Sequence, residues 1–312
     1  MNVEAILSHP MVRIRNREMV IKKLNDLVKD GSNQLVVISD FDFTLTRFFD
    51  ENKERCLSSH AVLDHLLFAM HPEMEEEIRR RNAKYMAIEY DPVLTKEEKV
   101  PYMIECHLQC LERPSCHATY SVRWSAAHEN YIVSGIHRDD IDRFVMDAKI
   151  ELRHGASALL QLLANASIPL LLFSAGVGNV IDVFLRHQLG SIPNNVHIIS
   201  NMLLFNEKGI ASSCSEPLIH VFCKDSSVIP KDAQFFDNVA HRKNVLLLGD
   251  SLGDLHMDIG IAHSGTVLKI GFLNNKVDEL LGSYLDGFDI VVVEDQTTDV
   301  PDFILRTLIM HS

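Results

Sequence analysis

The sequence predicts an α/β fold: a parallel sheet with crossover helices and an inserted, mainly helical cap. Three observations predict it. Six short apolar runs are each followed by a turn signal and a helical pattern, which is how a parallel sheet with crossover helices reads in sequence. The runs are continuous rather than alternating, as expected of strands covered on both faces. Between the first two runs lies a long stretch, residues 57–148, with helical patterns and no comparable strand run.

The first run spans 34–39 and leads directly into Asp40. Helical patterns at 73–87 and 96–109 then fill the strandless stretch, so 57–148 is expected as the cap and 1–56 with 149–312 as the core. The remaining strands are expected at 169–173, 197–200, 245–248, 266–270 and 290–293. In an open parallel sheet, ligands sit beyond the carboxyl ends of the strands, near the point where strand order reverses. Chemistry is therefore expected just after each run.

Bulk properties narrow the classes. A chain of 312 residues suits one sizeable core plus a smaller lobe, and 46% hydrophobic with 23% charged residues is ordinary globular composition. The net charge of −13 gives no footprint for a nucleic-acid polymer or an anionic membrane. A small anionic substrate would need a locally positive pocket or a metal ion. His9, Pro10, Arg13, Arg15 and Arg17 interrupt the first twenty residues, so no signal-peptide core is expected, and the apolar runs are too short to span a bilayer. A cytosolic monomer with its six cysteines reduced is the expectation. Cys106, Cys110 and Cys116, with His107 and His117, match none of the usual zinc-ligand spacings.

Four motifs carry chemistry. Asp40-Phe41-Asp42-Phe43-Thr44 places two carboxylates at the end of the first strand, one suited to nucleophilic attack and one to proton transfer. Alone, such a dipeptide is more often a solvated turn. Ser174-Ala175-Gly176 ends the second strand before a helix beginning near Asn179, where backbone N–H groups can approach a phosphate. Gly249-Asp250-Ser251-Leu252-Gly253-Asp254 brings two further acids to the same edge, which would repel Asp40 and Asp42 unless a cation sat among them. Hard carboxylate oxygens with a phosphate are the usual setting of Mg²⁺. Lys224, after a short apolar run, reads as a surface lysine by itself and as a phosphate contact beside the other three.

Together these motifs resemble the haloacid dehalogenase superfamily, whose Asp-x-Asp-x-Thr, Ser/Thr, Lys and Gly-Asp-x-x-x-Asp motifs occur in this order. Residues 40–48, 88–92, 99–103, 173–176, 249–255 and 269–274 are further similar to the cytosolic 5′-nucleotidase III family. The resemblance runs from about Leu35 to the C-terminus and implies a Rossmannoid core. It implies a hydrolase of nucleoside 5′-monophosphates with Asp40 as nucleophile, Asp42 as acid/base, and Mg²⁺ on Asp40, Asp42 and Asp250. Ser174, Ala175 and Lys224 are implied phosphate contacts, with Thr44, Gly176, Ser251 and Asp254 supporting. The chain departs from the family between Cys106 and Arg123, where it carries extra residues.

Base selection rests on two residues. Glu89 stands in the cap motif that the family turns toward the base, where a carboxylate accepts from amino or ring N–H groups. Trp124, the single tryptophan, stands where the branch acting on 7-methylguanosine monophosphate has tryptophan and the pyrimidine-specific branch has tyrosine. An indole face attracts the positive charge of an N7-methylated base better than a phenol does. The 7-methylguanosine branch is therefore the expectation, and a pyrimidine nucleotidase the alternative. A phosphatase for another small ester, or a nucleotide-binding module without catalysis, are the readings outside it. His65 and Phe68 are candidates for the other wall of the base pocket.

Overall fold

The computed structural model describes residues 6–311 apart from 90, 92, 109–125, 226–227, 229–234, 236–238 and 260–263. Its strands are β1 (Val12–Arg13), β2 (Leu35–Ser39), β3 (Leu170–Val177), β4 (Val196–Asn201), β5 (Leu203–Phe205), β6 (Ala211–Cys214), β7 (Asn244–Gly249), β8 (Val267–Leu273) and β9 (Ile290–Val293). The six expected strands are all present, shifted or lengthened by a few residues at their ends. Seven strands form one sheet in the order β1-β9-β8-β7-β2-β3-β4, parallel throughout except for β1, which runs antiparallel to β9.

The continuous apolar runs have a direct structural cause. Leu35 and Val37 join a core made with α1 (Arg17–Asp30), α7 (Ala156–Asn165), α8 (Gly178–Leu189) and α10 (Asp299–Met310). Val36 and Ile38 point the other way, into a second core with Phe235 and with Tyr284 of α9 (Val277–Gly287). Successive side chains enter opposite cores, so neither parity is left for water. Asn16 caps α1 by accepting from the Met19 amide at 3.0 Å.

Among the described residues five α-helices lie between β2 and α7: α2 (Ser59–Met70), α3 (Glu75–Glu89), α4 (Lys96–Leu108), α5 (Ala126–Val133) and α6 (Arg138–Asp147). Ser58 caps α2 on the Ala61 amide, and α6 packs on α8 of the core. The chain leaves the core through residues 45–57 and returns through 149–154, and these linkers run side by side. The Arg47 amide donates to the Glu151 carbonyl and the Leu57 amide to the Lys149 carbonyl, both at 2.8 Å.

Two features were not expected. Strand β1 is two residues long, too short to show a pattern. The β5–β6 hairpin turns at Gly209, with φ of 76°, and leans on α5. Its strands are also too short for an alternation to stand out.

Candidate active site

Strand β2 lies between β3 and β7, so the chain reaches one neighbour early and the other late. This is the reversal point of a doubly wound sheet, and three motif-bearing strand ends meet there. The Asp40 amide donates to the Leu248 carbonyl of β7 at 3.0 Å, which fixes the Asp40 turn beside the second acidic motif. Beyond it the Thr44, Leu45 and Thr46 amides converge on the Phe41 carbonyl at 3.0–3.3 Å.

Lys224 joins the two acidic motifs. Its ammonium donates to Asp40 Oδ1 at 2.6 Å and to Asp254 Oδ1 at 2.7 Å, with all three side chains buried. It is brought in by the helical turn Val221–Cys223, whose approach is held by Asn201 at the end of β4. The Asn201 amide bonds both the N–H and the C=O of Ile219 at 2.8 Å, and also the Ala175 carbonyl at 2.9 Å. Burial disfavours the Lys224 charge, but the Asp254 and Asp40 carboxylates outweigh it and hold its pKa above the ordinary lysine value. Burial raises Asp40 to about 7 against the pull of Lys224. Asp250 is raised well above the usual carboxylate range, first by burial and then by the Asp40 and Asp254 charges.

The acidic side chains fall into two groups. Asp40, Asp250 and Asp254 each offer an oxygen, and these oxygens lie within 4.8 Å of one another. The Asp42 carboxylate is not part of this group. It is turned to the start of the cap helix, where the Ser59 amide donates to Oδ1 at 2.7 Å and the Ser59 hydroxyl to Oδ2 at 2.6 Å. Burial raises the Asp42 pKa, and the Ser59 bonds oppose it. Asp254 also acts as a brace: its Oδ2 accepts from the Asp250 and Ser251 amides and from the Ser251 hydroxyl, at 2.9–3.1 Å. A donor set of carboxylate oxygens, without sulfur or imidazole and with one ammonium to offset three acids, fits a hard divalent cation such as Mg²⁺.

Ser174 is buried and its hydroxyl accepts from the Gly176 amide at 3.0 Å. The Ser59 hydroxyl further accepts from the Val177 amide at 3.1 Å, so one serine ties the cap to both the Asp42 and Ser174 motifs. Gly176 is required by this contact, because a Cβ there would meet Ser59 Oγ at 2.0 Å and Asp42 Oδ2 at 2.7 Å. Thr44 is fully buried, and its hydroxyl makes no hydrogen bond among the described residues.

These groups open into a cavity of about 610 Å³. Its floor holds Asp40, Asp42, Ser174, Ala175, Gly176, Lys224, Asp250 and Ser251, and its opposite wall holds His60, Asp64, His65, Arg81, Asn82, Tyr85, Glu89 and Tyr131 of the cap. Burial and then the Asp254 charge push Glu89 up to about 7, so the acidic end of the cavity acts on it directly. His65 lines the space, whereas Phe68 packs behind it with its ring centroid 5.9 Å from the imidazole and is not among the lining residues. Trp124 lies outside the described residues. Asp64 is a polar anchor in this wall, accepting from the Tyr131 hydroxyl at 2.7 Å and the Asn82 amide at 2.8 Å.

The family model described as Pyrimidine 5′-nucleotidase (UMPH-1) matches residues 43–113 and 115–309. The chain belongs to this family. It is 39% identical over 297 residues to the putative cytosolic 5′-nucleotidase 3 of Caenorhabditis elegans, covering 95% of this chain and 74% of that protein. It is 37% identical over 306 residues to the 7-methylguanosine phosphate-specific 5′-nucleotidase of Gallus gallus, covering 98% and 99%. The crystal structure of cytosolic 5′-nucleotidase IIIB bound to cytidine superposes with a TM-score of 0.80 at 29% identity, over 100% of this chain and 98% of that one. In this chain the cap wall described above stands over an α/β core with the fold of the haloacid dehalogenase-type phosphatases. Sequence reading had placed the four motifs together but not Ser59 or Asn201, which lie outside any of them. Their only signal was position: one opens the first cap helix and the other closes β4.

Proposed function

We propose that this protein removes the 5′-phosphate from nucleoside monophosphates in the cytosol through an aspartyl-phosphate on Asp40, with 7-methylguanosine and cytidine monophosphates as favoured substrates. It is proposed to act as a monomer on a free small molecule. The observation that carries the reading is the single cavity that joins the Asp40–Lys224–Asp250 cluster to a cap wall with aromatic and hydrogen-bonding side chains. A bare phosphatase would not need that wall. It has room for a base and ribose above the phosphate.

Asp40 attacks phosphorus, with Lys224 fixing its carboxylate and placing a positive charge where the equatorial oxygens gather charge. Ser174 and the amides near Ala175 receive a phosphate oxygen. Asp42, oriented by Ser59, exchanges the proton with the ribose 5′-oxygen and then with the water that releases phosphate. Mg²⁺, held by Asp40 and Asp250 with Asp254 behind them, would supply charge neutralisation for the incoming dianion. Glu89 and Trp124 are proposed to read the base. The relatives named for 7-methylguanosine phosphate and the tryptophan at 124 favour the methylated purine; the cytidine in the similar crystal structure supports the pyrimidine as second substrate.

Steady-state rates with 7-methylguanosine, cytidine and uridine monophosphates and with O-phosphoserine, at equal Mg²⁺, test the reading. The nucleotides should exceed phosphoserine by at least about a hundredfold in kcat/KM. Equal rates would overturn it, as would rapid-quench labelling that put phosphate on a residue other than Asp40. Asp40→Asn should abolish turnover.

A further inference from the structure

Arg153 belongs to none of the motifs, yet it is the largest of the fully buried side chains, with 1% of its surface exposed. It sits on the linker that returns from the cap to the core. A guanidinium so placed is costly to bury, and among the described residues no carboxylate lies within ion-pair distance of it. A methionine would fill the same space more cheaply, so packing alone does not account for an arginine here.

Its hydrogen bonds show what the charge is used for. Nε donates to the Thr44 carbonyl at 2.7 Å, and Nη2 donates to the Phe43 carbonyl and to Asn274 Oδ1, both at 2.6 Å. Nη1 donates to the Asp295 carbonyl, and the guanidinium lies 4.3 Å from the centroid of the Phe272 ring. Two of the three carbonyls belong to the turn that begins immediately after Asp42. Within it Phe43 has φ of 60°, a left-handed conformation that a bulky side chain resists and that persists only when its surroundings over-determine it. The Phe43 carbonyl receives a second donor from Asn274 Nδ2 at 3.0 Å, and the Arg153 main-chain amide holds the Leu45 carbonyl at 2.9 Å. The turn is thus gripped by Arg153 and Asn274 from one side and by the Phe41 carbonyl from the other. Burial lowers the guanidinium pKa only to about 10, so it remains charged at neutral pH, and its charge and that of Asp250 act on each other.

We propose that Arg153 is a positioning residue for phosphoryl transfer: from the cap linker it holds the turn behind Asp40 and Asp42 in its reactive shape and adds a second buried positive charge behind the acidic cluster. The inference rests on Asp40 being the nucleophile. It touches neither base nor phosphate, so it predicts a loss confined to the chemical step. Both a nucleotide and an activated ester such as p-nitrophenyl phosphate use that nucleophile and should suffer alike.

The test is kcat and KM for cytidine monophosphate and p-nitrophenyl phosphate with wild type, Arg153→Met, Arg153→Lys and Asn274→Ala. Arg153→Met should lower kcat on the order of a hundredfold for both substrates, the scale of a misplaced reacting group, with KM changed by less than about threefold. Arg153→Lys keeps the charge but cannot span both carbonyls, and should recover part of the loss. Asn274→Ala removes one of the two donors on the Phe43 carbonyl and one acceptor of Arg153 Nη2 while leaving the buried cation in place, and should lower kcat by about three- to tenfold at constant KM; it carries the test if Arg153→Met does not fold. A folded Arg153→Met or Asn274→Ala enzyme with kcat within twofold of wild type would overturn the proposal, as would losses appearing only in KM. Failure of the nucleotidase reading would look different, since wild type itself would then not prefer the nucleotide, or Asp40→Asn would stay active.

Discussion

Lys224→Met removes the one ammonium between two buried carboxylates, and the structure sets the size and pH dependence of the effect. Asp254 keeps the Asp250 and Ser251 amides and the Ser251 hydroxyl as donors. Asp40 has no other side-chain partner than Lys224 among the described residues. Breaking a buried ion pair by removing one partner costs about 3–5 kcal/mol. For a chain of this size that is a drop of roughly 10 °C in the melting midpoint. The cost should grow with pH. With Lys224 in place Asp40 has a pKa of about 7, raised from 3.8 by burial, so its contribution to stability is full below pH 4 and is lost as pH rises through 7. Without the ammonium its folded pKa rises further. At pH 6 both proteins then hold Asp40 mainly protonated, while at pH 8 only the wild type can ionise it favourably, widening the gap by about 1.4 kcal/mol per pH unit above 7. The assay is thermal melting in chelator at pH 6 and 8 for wild type, Lys224→Met, and the Asp40→Asn/Lys224→Met pair. The single variant should lose about 3 °C more at pH 8 than at pH 6, and the pair, in which only Asp250 and Asp254 still lose the ammonium, should show a smaller difference. A pH-independent loss, or a loss of less than about 3 °C at both values, would refute a charged Lys224 bridging Asp40 and Asp254.

Three further outcomes follow from the same geometry. Asp250→Ala should raise the Mg²⁺ concentration for half-maximal rate by about tenfold or more, and full activity in excess chelator would contradict any cation at this cluster. Gly176→Ala places a Cβ 2.0 Å from Ser59 Oγ, so it should displace the hydroxyl that orients Asp42. Its kcat should fall more for cytidine monophosphate, whose alkoxide leaving group needs a proton, than for p-nitrophenyl phosphate, and equal losses would count against that role of Asp42. Trp124→Ala should weaken 7-methylguanosine monophosphate by about 1–3 kcal/mol and cytidine monophosphate by less; an unchanged ratio of specificity constants would return the pyrimidine to first place.

Much of the fold was legible because its signals are local. The strands around 35–38 and 245–248 declare themselves by uninterrupted branched and aliphatic residues, since both faces of the sheet are covered. Three of the four motifs were legible for a related reason: each sits at the end of such a strand, so strand position and residue type together mark the functional edge, while Lys224 follows a helical turn. What was not legible depends on which way a side chain turns after the strand ends. Asp42 and Asp254 are both acids of the motifs, and nothing in their spacing says that Ser59 captures the first while the second stands with Asp40 and Asp250.

The sequence by itself determined the α/β core, the inserted helical segment and the identity of Asp40, Lys224 and Asp250 as the residues to examine. The tertiary structure alone decided how their side chains are paired. Lys224 lies 184 residues from Asp40 and Arg153 lies 109 from Thr44, and their hydrogen bonds exist only once the sheet has closed and the cap linker has returned beside the Asp40–Thr46 turn. Arg153 leaves no pattern in sequence because three of its four acceptors are main-chain carbonyls, which any chain could offer, and the fourth is the side-chain amide of Asn274 at a distant strand end. Periodicity and spacing report what one segment must bury or expose; the partner of a buried charge is set by which segments the fold brings together.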